Sequence, residues 1–173
     1  MNQDQKNNKL KKIVASSLSN GLQGEIFTPG DKSISHRCII LSSLAIGESK
    51  INGLLESADV ICTIKAMKAL GSNINLKSNI CIVNGIGIGS LVEPSVPLDF
   101  GNSGTAARLI MGLVATHPIK SVLIGDEPLS KRPMKRVVDP LIEFGAQFNL
   151  NSLEFLPITV NGTRLPIPIT YET

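Results

Sequence analysis

Apolar and polar residues follow one another along the first half of the chain with periods that predict alternating helices and strands. Residues 25–28 form a short strand-like run, and residues 34–45 are mostly apolar, which predicts a helix. Residues 50–55 predict a second strand. A second helix is defined by apolar residues that share one face at helical spacing: Val60, Ile61, Ile64, Met67 and Leu70. The runs 73–76 and 80–83 flank a short polar segment and predict a hairpin.

Small polar residues and glycines mark the ends of these predicted helices. Asp31, Ser33 and Ser35 are each suited to the N-cap of the first helix. Gly47 is suited to end that helix, and Gly71 to end the second one.

The same order of elements recurs in the second half of the chain. Its members are a strand at 98–100, a helix at 106–115, a strand at 121–125, a helix ended by Gly145, and a hairpin of 147–150 with 156–160. Identical residues accompany the pattern at drifting offsets of 70, 74 and 77: Ser33 with Ser103, Gly71 with Gly145, Gly85 with Gly162. The sequence therefore predicts an α/β fold made of repeated β-α-β-α-β-β units.

The repeat divides the chain into five segments. Residues 1–12 form a polar tail that we expect to be disordered, and residues 13–20 predict a first strand. The first unit occupies 21–95 and the second 96–162. Residues 163–173 have the apolar character of the start of a third unit, whose remainder is absent from this sequence.

Composition narrows the classes of function. A net charge of +3 and an aromatic content of 3% argue against nucleic-acid binding, because base stacking and phosphate contact need more of both. Cys38, Cys62 and Cys81 are odd in number and form no Cys-x-x-Cys pair, so neither a disulfide framework nor a structural zinc site is expected. With no apolar run of membrane-spanning length and no signal peptide, the sequence predicts a cytoplasmic protein without membrane contact.

The loop at 29–37 carries the strongest chemical signal. It connects a predicted strand to a helix start, where free backbone N–H groups and the helix dipole favour an anion. Lys32 and Arg37 add two cations, while Ser33 and Ser35 add hydroxyl donors. We interpret the loop as a site for a phosphate or a carboxylate, although a solvated and capped helix start has the same composition.

Two later loops extend this interpretation. The loop at 101–105 holds the equivalent position in the second unit, and its Asn102, Gly104 and Thr105 offer neutral donors and close backbone approach. In the loop at 125–134, Arg132 precedes a proline suited to a first helical turn, where a cation opposes the helix dipole. That conflict indicates a clamp for an anion, whereas a solvated basic face is the alternative. The glycine-rich run 85–89 lacks the spacing of a dinucleotide loop.

Together the three loops identify a family. The segments PGDKSISHR at 29–37, DFGNSGT at 99–105 and GDEPLSKRPM at 125–134 resemble those of 5-enolpyruvylshikimate-3-phosphate synthases, and in particular the bacterial subclass known for herbicide-tolerant members. The resemblance covers about residues 13–173. It implies an inside-out α/β barrel of six β-α-β-α-β-β units, of which this chain holds about two.

The resemblance also implies an activity and a set of ligands. Family members transfer the enolpyruvyl group of phosphoenolpyruvate to the 5-hydroxyl of shikimate 3-phosphate in the shikimate pathway, which leads to chorismate and the aromatic amino acids, without cofactor or metal. By position, Lys32 would be catalytic and touch both substrates. Ser33 and Arg37 would bind shikimate 3-phosphate. Asn102, Gly104 and Arg132 would line the phosphoenolpyruvate side, where glyphosate competes.

The same resemblance leaves parts of the site outside this sequence. The family's third serine-rich loop, its acid and base carboxylates and further cations would all follow residue 173, so we expect the isolated chain to be a truncated and inactive form. A non-catalytic anion-binding fragment that needs a complementing chain is one alternative. A relative of UDP-N-acetylglucosamine enolpyruvyl transferase is another, although its loops do not resemble the segment at 29–37.

Overall fold

The computed structural model describes residues 23–77, 80–149 and 154–172. The predicted tail at 1–12 and the predicted first strand at 13–20 lie outside the described residues. In the first half of the described chain, α1 spans Lys32–Leu44, β1 spans Ile46–Asn52 and α2 spans Ala58–Ala69. The hairpin that follows consists of β2 (Asn73–Lys77) and β3 (Ile80–Ile86).

The second half repeats this order with two added elements, a strand at its start and a short helix. Its elements are β4 (Leu98–Asp99), α3 (Gly104–Ala115), β5 (Lys120–Ile124), α4 (Glu127–Ser130), α5 (Lys135–Glu143), β6 (Gln147–Phe148) and β7 (Ile158–Asn161). The short helix α4 was not predicted, because its four residues are too few to show helical periodicity.

The strands form two sheets. One sheet has the order β1-β3-β2 and is antiparallel throughout, with Ser49 opposite Val83 and Asn75 opposite Ile82. The other has the order β4-β5-β7-β6, in which β4 runs parallel to β5 and the remaining pairs are antiparallel. The order β5-β7-β6 reproduces β1-β3-β2, so the predicted repeat is confirmed at the level of topology.

The helices pack against one another and cover one face of each sheet. Helix α2 contacts both α1 and α3, while α1 packs on β3 and α3 packs on β5 and β7. Ile39, Met67, Phe100, Ile110 and Val160 are fully buried and belong to a single apolar cluster that includes both sheets. Since apolar burial yields roughly 25 cal/mol per Å², this shared core holds the two halves, and with them their helix starts, in a fixed arrangement.

The repeat is also present in detail. The helix ends at Gly71 and Gly145 both have positive φ, at 104° and 107°, and the backbone N–H groups one residue later bond the carbonyls of Met67 and Leu141. This is the same Schellman turn in both halves. Gly85 and Gly162 are equivalent in another way, because each packs its Cα against carbonyl groups at the end of the first helix of its half, α1 or α3.

Several predicted boundaries were wrong. Residues 25–28 have no regular secondary structure, because no described strand pairs with them, and Phe27 is 98% exposed there. Gly47 does not end α1: the helix stops at Leu44 and Gly47 lies inside β1. The strand predicted at 50–55 begins earlier, at Ile46. No described helix is long and apolar enough to cross a membrane.

Candidate functional site

The first predicted loop forms the N-terminus of α1. Of the three candidate caps, Asp31 fills the position: its Oδ1 accepts a hydrogen bond from the Ile34 N–H at 2.7 Å. Lys32 and Ser33 occupy the first turn, and the Arg37 guanidinium folds back to donate to the Ser33 hydroxyl and, at 3.1 Å, to its carbonyl oxygen. The structure thus brings Ser33 and Arg37 together on an exposed face next to Lys32.

Lys32 is held by an acidic residue of the neighbouring helix. Its Nζ donates to Asp59 Oδ2 at 2.9 Å, and the two side chains are 53% and 30% exposed. An exposed pair of this kind is worth only about 0–1 kcal/mol, so an anionic ligand can take over the ammonium group at little cost. Asp59 therefore orients Lys32 without sequestering it.

Other polar residues at the start of α1 make hydrogen bonds inside the protein. Ser35 is buried, donates to the Asp31 carbonyl oxygen and accepts from the Leu55 N–H at 3.0 Å, so its hydroxyl is not a free donor as the sequence suggested. The buried His36 places Nδ1 2.7 Å from Thr63 Oγ1 on α2. Burial lowers the pKa of His36; Asp59 opposes this shift, whereas Lys32 and Arg37 reinforce it.

The second and third predicted loops meet through Asn102. Its Nδ2 donates to both carboxylate oxygens of Asp126, at 3.0 and 3.3 Å, and its Oδ1 accepts from an Arg132 terminal nitrogen at 2.7 Å. The backbone reinforces the junction, since the Asp126 N–H donates to the Gly101 carbonyl oxygen at 2.9 Å. Asn102 and Arg132 are exposed, so the remaining guanidinium donors face solvent.

Gly104 lies beneath a group of arginines at the start of α3. A Cβ atom on Gly104 would lie 2.8 Å from one terminal nitrogen of Arg108 and 3.4 Å from one of Arg132. Burial lowers the pKa of Arg108, and the charges of Arg136 and Arg132 lower it further. The Arg108 Nε is buried and has no hydrogen-bond partner among the described residues. No carboxylate in the described part of the chain forms an ion pair with Arg108 or Arg132, and cations clustered at a helix N-terminus suit an anion.

Helix α2 connects the two groups of predicted site residues. Asp59 holds Lys32, and one turn further along the same helix Cys62 Sγ lies within 3.8 Å of the Cβ position of Gly101 in the second loop. Helix α2 also packs on β4, the strand that leads into that loop. The first group (Lys32, Ser33 and Arg37) and the second group (Asn102, Gly104 and Arg132) thus lie at helix starts on either side of α2.

The third loop differs from its prediction in one respect. Arg132 lies in the connection between α4 and α5, and α5 begins only at Lys135, so Arg132 is not in a helical first turn. Its neighbours Lys131 and Lys135 do form the solvated basic face that was the alternative, since they pair with Glu127 and Asp139 at 2.6 and 2.9 Å.

Two further residues shape the site that sequence reasoning did not single out. Asp126 connects the loops, and Arg108 reaches the space above Gly104. The available signals were an acid directly after a strand and an arginine four residues beyond Gly104, on the same helical face. Among the described residues, no three His, Cys, Asp or Glu side chains are grouped as metal ligands.

Comparison with known proteins supports the family resemblance seen in these loops. The family model for EPSP synthase (3-phosphoshikimate 1-carboxyvinyltransferase) matches residues 17–170. The 3-phosphoshikimate 1-carboxyvinyltransferase of Parvibaculum lavamentivorans is 52% identical over 155 residues, and that of Rhodospirillum rubrum is 50% identical over 159. These alignments cover 89% of this chain but only 34% and 35% of the relatives, so the chain spans about a third of their length.

A solved structure gives the same answer for the fold. EPSP synthase from Acinetobacter baumannii superposes with a TM-score of 0.81 and 35% sequence identity, covering 86% of this chain and 34% of that one. The repeated topology and the three loops therefore have a common explanation: the chain belongs to the EPSP synthase family.

Proposed function

We propose that this chain supplies the part of a 3-phosphoshikimate 1-carboxyvinyltransferase that holds one face of both substrates. The reaction transfers the enolpyruvyl group of phosphoenolpyruvate to the 5-hydroxyl of shikimate 3-phosphate and releases phosphate. The relatives that carry this name in full are about three times as long, so the complete reaction needs groups beyond those described in this chain.

Each group of loop residues has a role in the proposal. Ser33 and Arg37 bind shikimate 3-phosphate at the start of α1, and Lys32 contacts both substrates as the catalytic cation. Asn102, Gly104 and Arg132 bind phosphoenolpyruvate at the start of α3. Cations and N–H groups that are already in place stabilise developing negative charge without reorganising during the reaction.

The observation that carries the proposal is the contact of Arg132 with Asn102 above Gly104. Arg132 and Asn102 are 30 residues apart and come from different loops, yet a 2.7 Å hydrogen bond joins them over the N-terminus of α3. Both substrates are anions, and Lys32, Arg37, Arg108 and Arg132 supply cations at two such helix starts. The division into units at 21–95 and 96–162 and a cytoplasmic location remain parts of this proposal, the latter supported by three free thiols.

A chimera tests the proposal directly. Residues 17–170 would replace the corresponding segment of the Parvibaculum lavamentivorans relative, with phosphate release measured when both substrates are present. We expect turnover within about tenfold of the parent enzyme, and its loss in the chimera that carries Lys32→Ala.

The outcome separates the proposal from its main alternative. A folded chimera that binds both substrates but does not turn over would assign the chain to non-catalytic anion binding. A chimera carrying Lys77→Ala, a cation at the exposed end of β2, serves as the charge-matched control and should retain turnover.

A further inference from the structure

We infer that Asp126 is a positioning residue that orients the Asn102 carboxamide and, through it, the Arg132 guanidinium. The contacts of Asp126 lie within the chain itself, and their consequence for phosphoenolpyruvate binding rests on the proposed function. Asp126 has no part in the site residues assigned from the family resemblance.

The contacts form one directional relay. Asp126 accepts two hydrogen bonds from Asn102 Nδ2, at 3.0 and 3.3 Å, and Asn102 Oδ1 accepts one from Arg132 at 2.7 Å. A carboxylate only accepts hydrogen bonds and a guanidinium only donates them. The amide between them therefore has a single orientation that satisfies both neighbours, with its nitrogen toward Asp126 and its oxygen toward Arg132.

Asp126 itself is fixed by the backbone on both sides. Its Oδ1 caps α4 by accepting from the Leu129 N–H at 2.8 Å, and its own N–H bonds the Gly101 carbonyl oxygen at 2.9 Å. The carboxylate thus anchors Asn102 to the end of β5. Without it, the Arg132 donor is the one described contact that favours the observed orientation of the Asn102 amide, so the oxygen that accepts from Arg132 is held less firmly.

Asp126→Asn separates this role from simple capping. The substituted amide keeps an oxygen for the Leu129 N–H, but its nitrogen is a donor, which faces the Asn102 nitrogen and favours the flipped amide. Asp126→Ser is a second variant, in which the hydroxyl also caps a helix and both carboxylate oxygens are lost. Glu127→Gln removes a charge one residue away and is the matched control, because Glu127 pairs with Lys131 outside the relay.

Nuclear magnetic resonance of the 173-residue chain measures the relay with or without ligand. In the wild-type chain and in Glu127→Gln we expect slowed rotation of the Arg132 guanidinium about its Nε–Cζ bond and a distinct Asn102 side-chain amide signal. In Asp126→Asn and Asp126→Ser we expect faster rotation and a displaced amide signal. Unchanged Arg132 rotation in both Asp126 variants would overturn the inference.

A titration with phosphoenolpyruvate then tests the link to binding. We expect affinity to fall about tenfold in the two Asp126 variants and to stay within about twofold in Glu127→Gln. If the wild-type chain does not respond to phosphoenolpyruvate while Arg132 still loses its order in the variants, the positioning role holds and the proposed ligand is wrong. Equal affinity in all four chains, with the relay disrupted, would overturn the binding consequence.

Discussion

At Gly104, the addition of a single methyl group should affect ligand binding far more than the stability of the fold. Its Cβ position lies 2.8 Å from an Arg108 terminal nitrogen and 3.4 Å from one of Arg132, both at the ends of flexible side chains. Gly104 is also the first residue of α3, where alanine is the better helix former. A methyl group here therefore displaces the guanidinium groups without straining the backbone.

We predict that Gly104→Ala weakens the binding of glyphosate and phosphoenolpyruvate in the chimera. Inhibition and substrate kinetics should show a rise of about tenfold or more in the glyphosate inhibition constant. The thermal midpoint should change by no more than about 4 °C, since the propensity gain offsets the new contacts. An unchanged inhibition constant would contradict the placement of the ligand above Gly104.

His36 provides a prediction in pH. Its pKa in the folded chain is lowered from the ordinary 6.5, so the unfolded chain takes up a proton first as the pH falls. The free energy of unfolding should therefore decrease as the pH falls through about 6.5, and level off below the folded pKa. Urea denaturation between about pH 7.5 and pH 5.5, above the range of ordinary carboxylates, measures this slope.

The variant His36→Gln checks the assignment of that slope. Glutamine retains a polar group for Thr63 but has no proton to gain in this range, so the slope between these pH values should become shallower. A variant with the wild-type slope would show that another group is responsible.

At the scale of single residues, the sequence predicted which types of side chain lie at a helix start better than it predicted the role of each one. Asp31, Ser33 and Ser35 are equally good caps by type, and only the backbone places Asp31 at the extended position before α1. Ser35 instead bonds Leu55, a contact 20 residues away that no local pattern contains. The hydrogen bond between Arg132 and Asn102 depends on tertiary packing, so only the family resemblance associated these two residues.

At the scale of elements, one glycine in each half allows a hairpin to pack against the end of a helix. A Cβ atom on Gly162 would collide with the carbonyl oxygens of His117 and Val114, and one on Gly85 with those of Ala45 and Ser42. In each case the obstacle is backbone, which cannot rotate away as a side chain does. The last strand of each half, β3 or β7, therefore packs closely against the end of α1 or α3.

We predict that Gly162→Ala destabilises the chain by more than about 2 kcal/mol. Gly112→Ala is the control, because Gly112 lies within α3 with nothing beyond the helix's own backbone within 4 Å of its Cβ position. The control should be neutral or stabilising by up to about 1 kcal/mol. Chemical denaturation followed by circular dichroism compares the two, and equal stability would refute the close approach.

The prediction of helices and strands succeeded where the periodic apolar pattern was long. It failed where a strand needs a partner that is distant in the sequence. The second helix and both hairpins were predicted from local patterns, and the structure confirms them. Residues 25–28 had the composition of a strand, but strand formation needs a partner, and the described chain offers none. The offset of 70 between Ser33 and Ser103 was wrong by two, because Asp31, not Ser33, is the cap equivalent to Ser103.

At the scale of the whole molecule, the repeat was predictable and the arrangement of its copies was not. Residue matches such as Gly71 with Gly145 indicated the repeat, and both glycines end their helices with the same type of turn. The packing of α2 against both loops required coordinates, since nothing in the sequence indicates that Asp59 contacts Lys32 or that Cys62 lies beside Gly101. Several large apolar side chains are exposed on the described chain, including Phe27 at 98% and Leu165 at 78%.

We predict that the isolated chain shows no steady-state release of phosphate with both substrates. It spans about a third of its relatives, and no described residue is assigned to the two proton transfers of the reaction. A sensitive phosphate assay on the pure chain, with the chimera as the positive control, measures this. Turnover above the buffer background would contradict the proposal that the proton-transferring groups lie outside this chain.

The most direct test of the whole account is a calorimetric titration of the chain with shikimate 3-phosphate. We expect weak binding, in about the millimolar range, which falls at least tenfold when Lys32→Met and Arg37→Met are combined. The charge-matched control combines Lys68→Met with Lys77→Met, two exposed lysines outside the helix starts, and should bind like the wild-type chain. Equal affinity in the two double variants would contradict the claim that the start of α1 is an anion site.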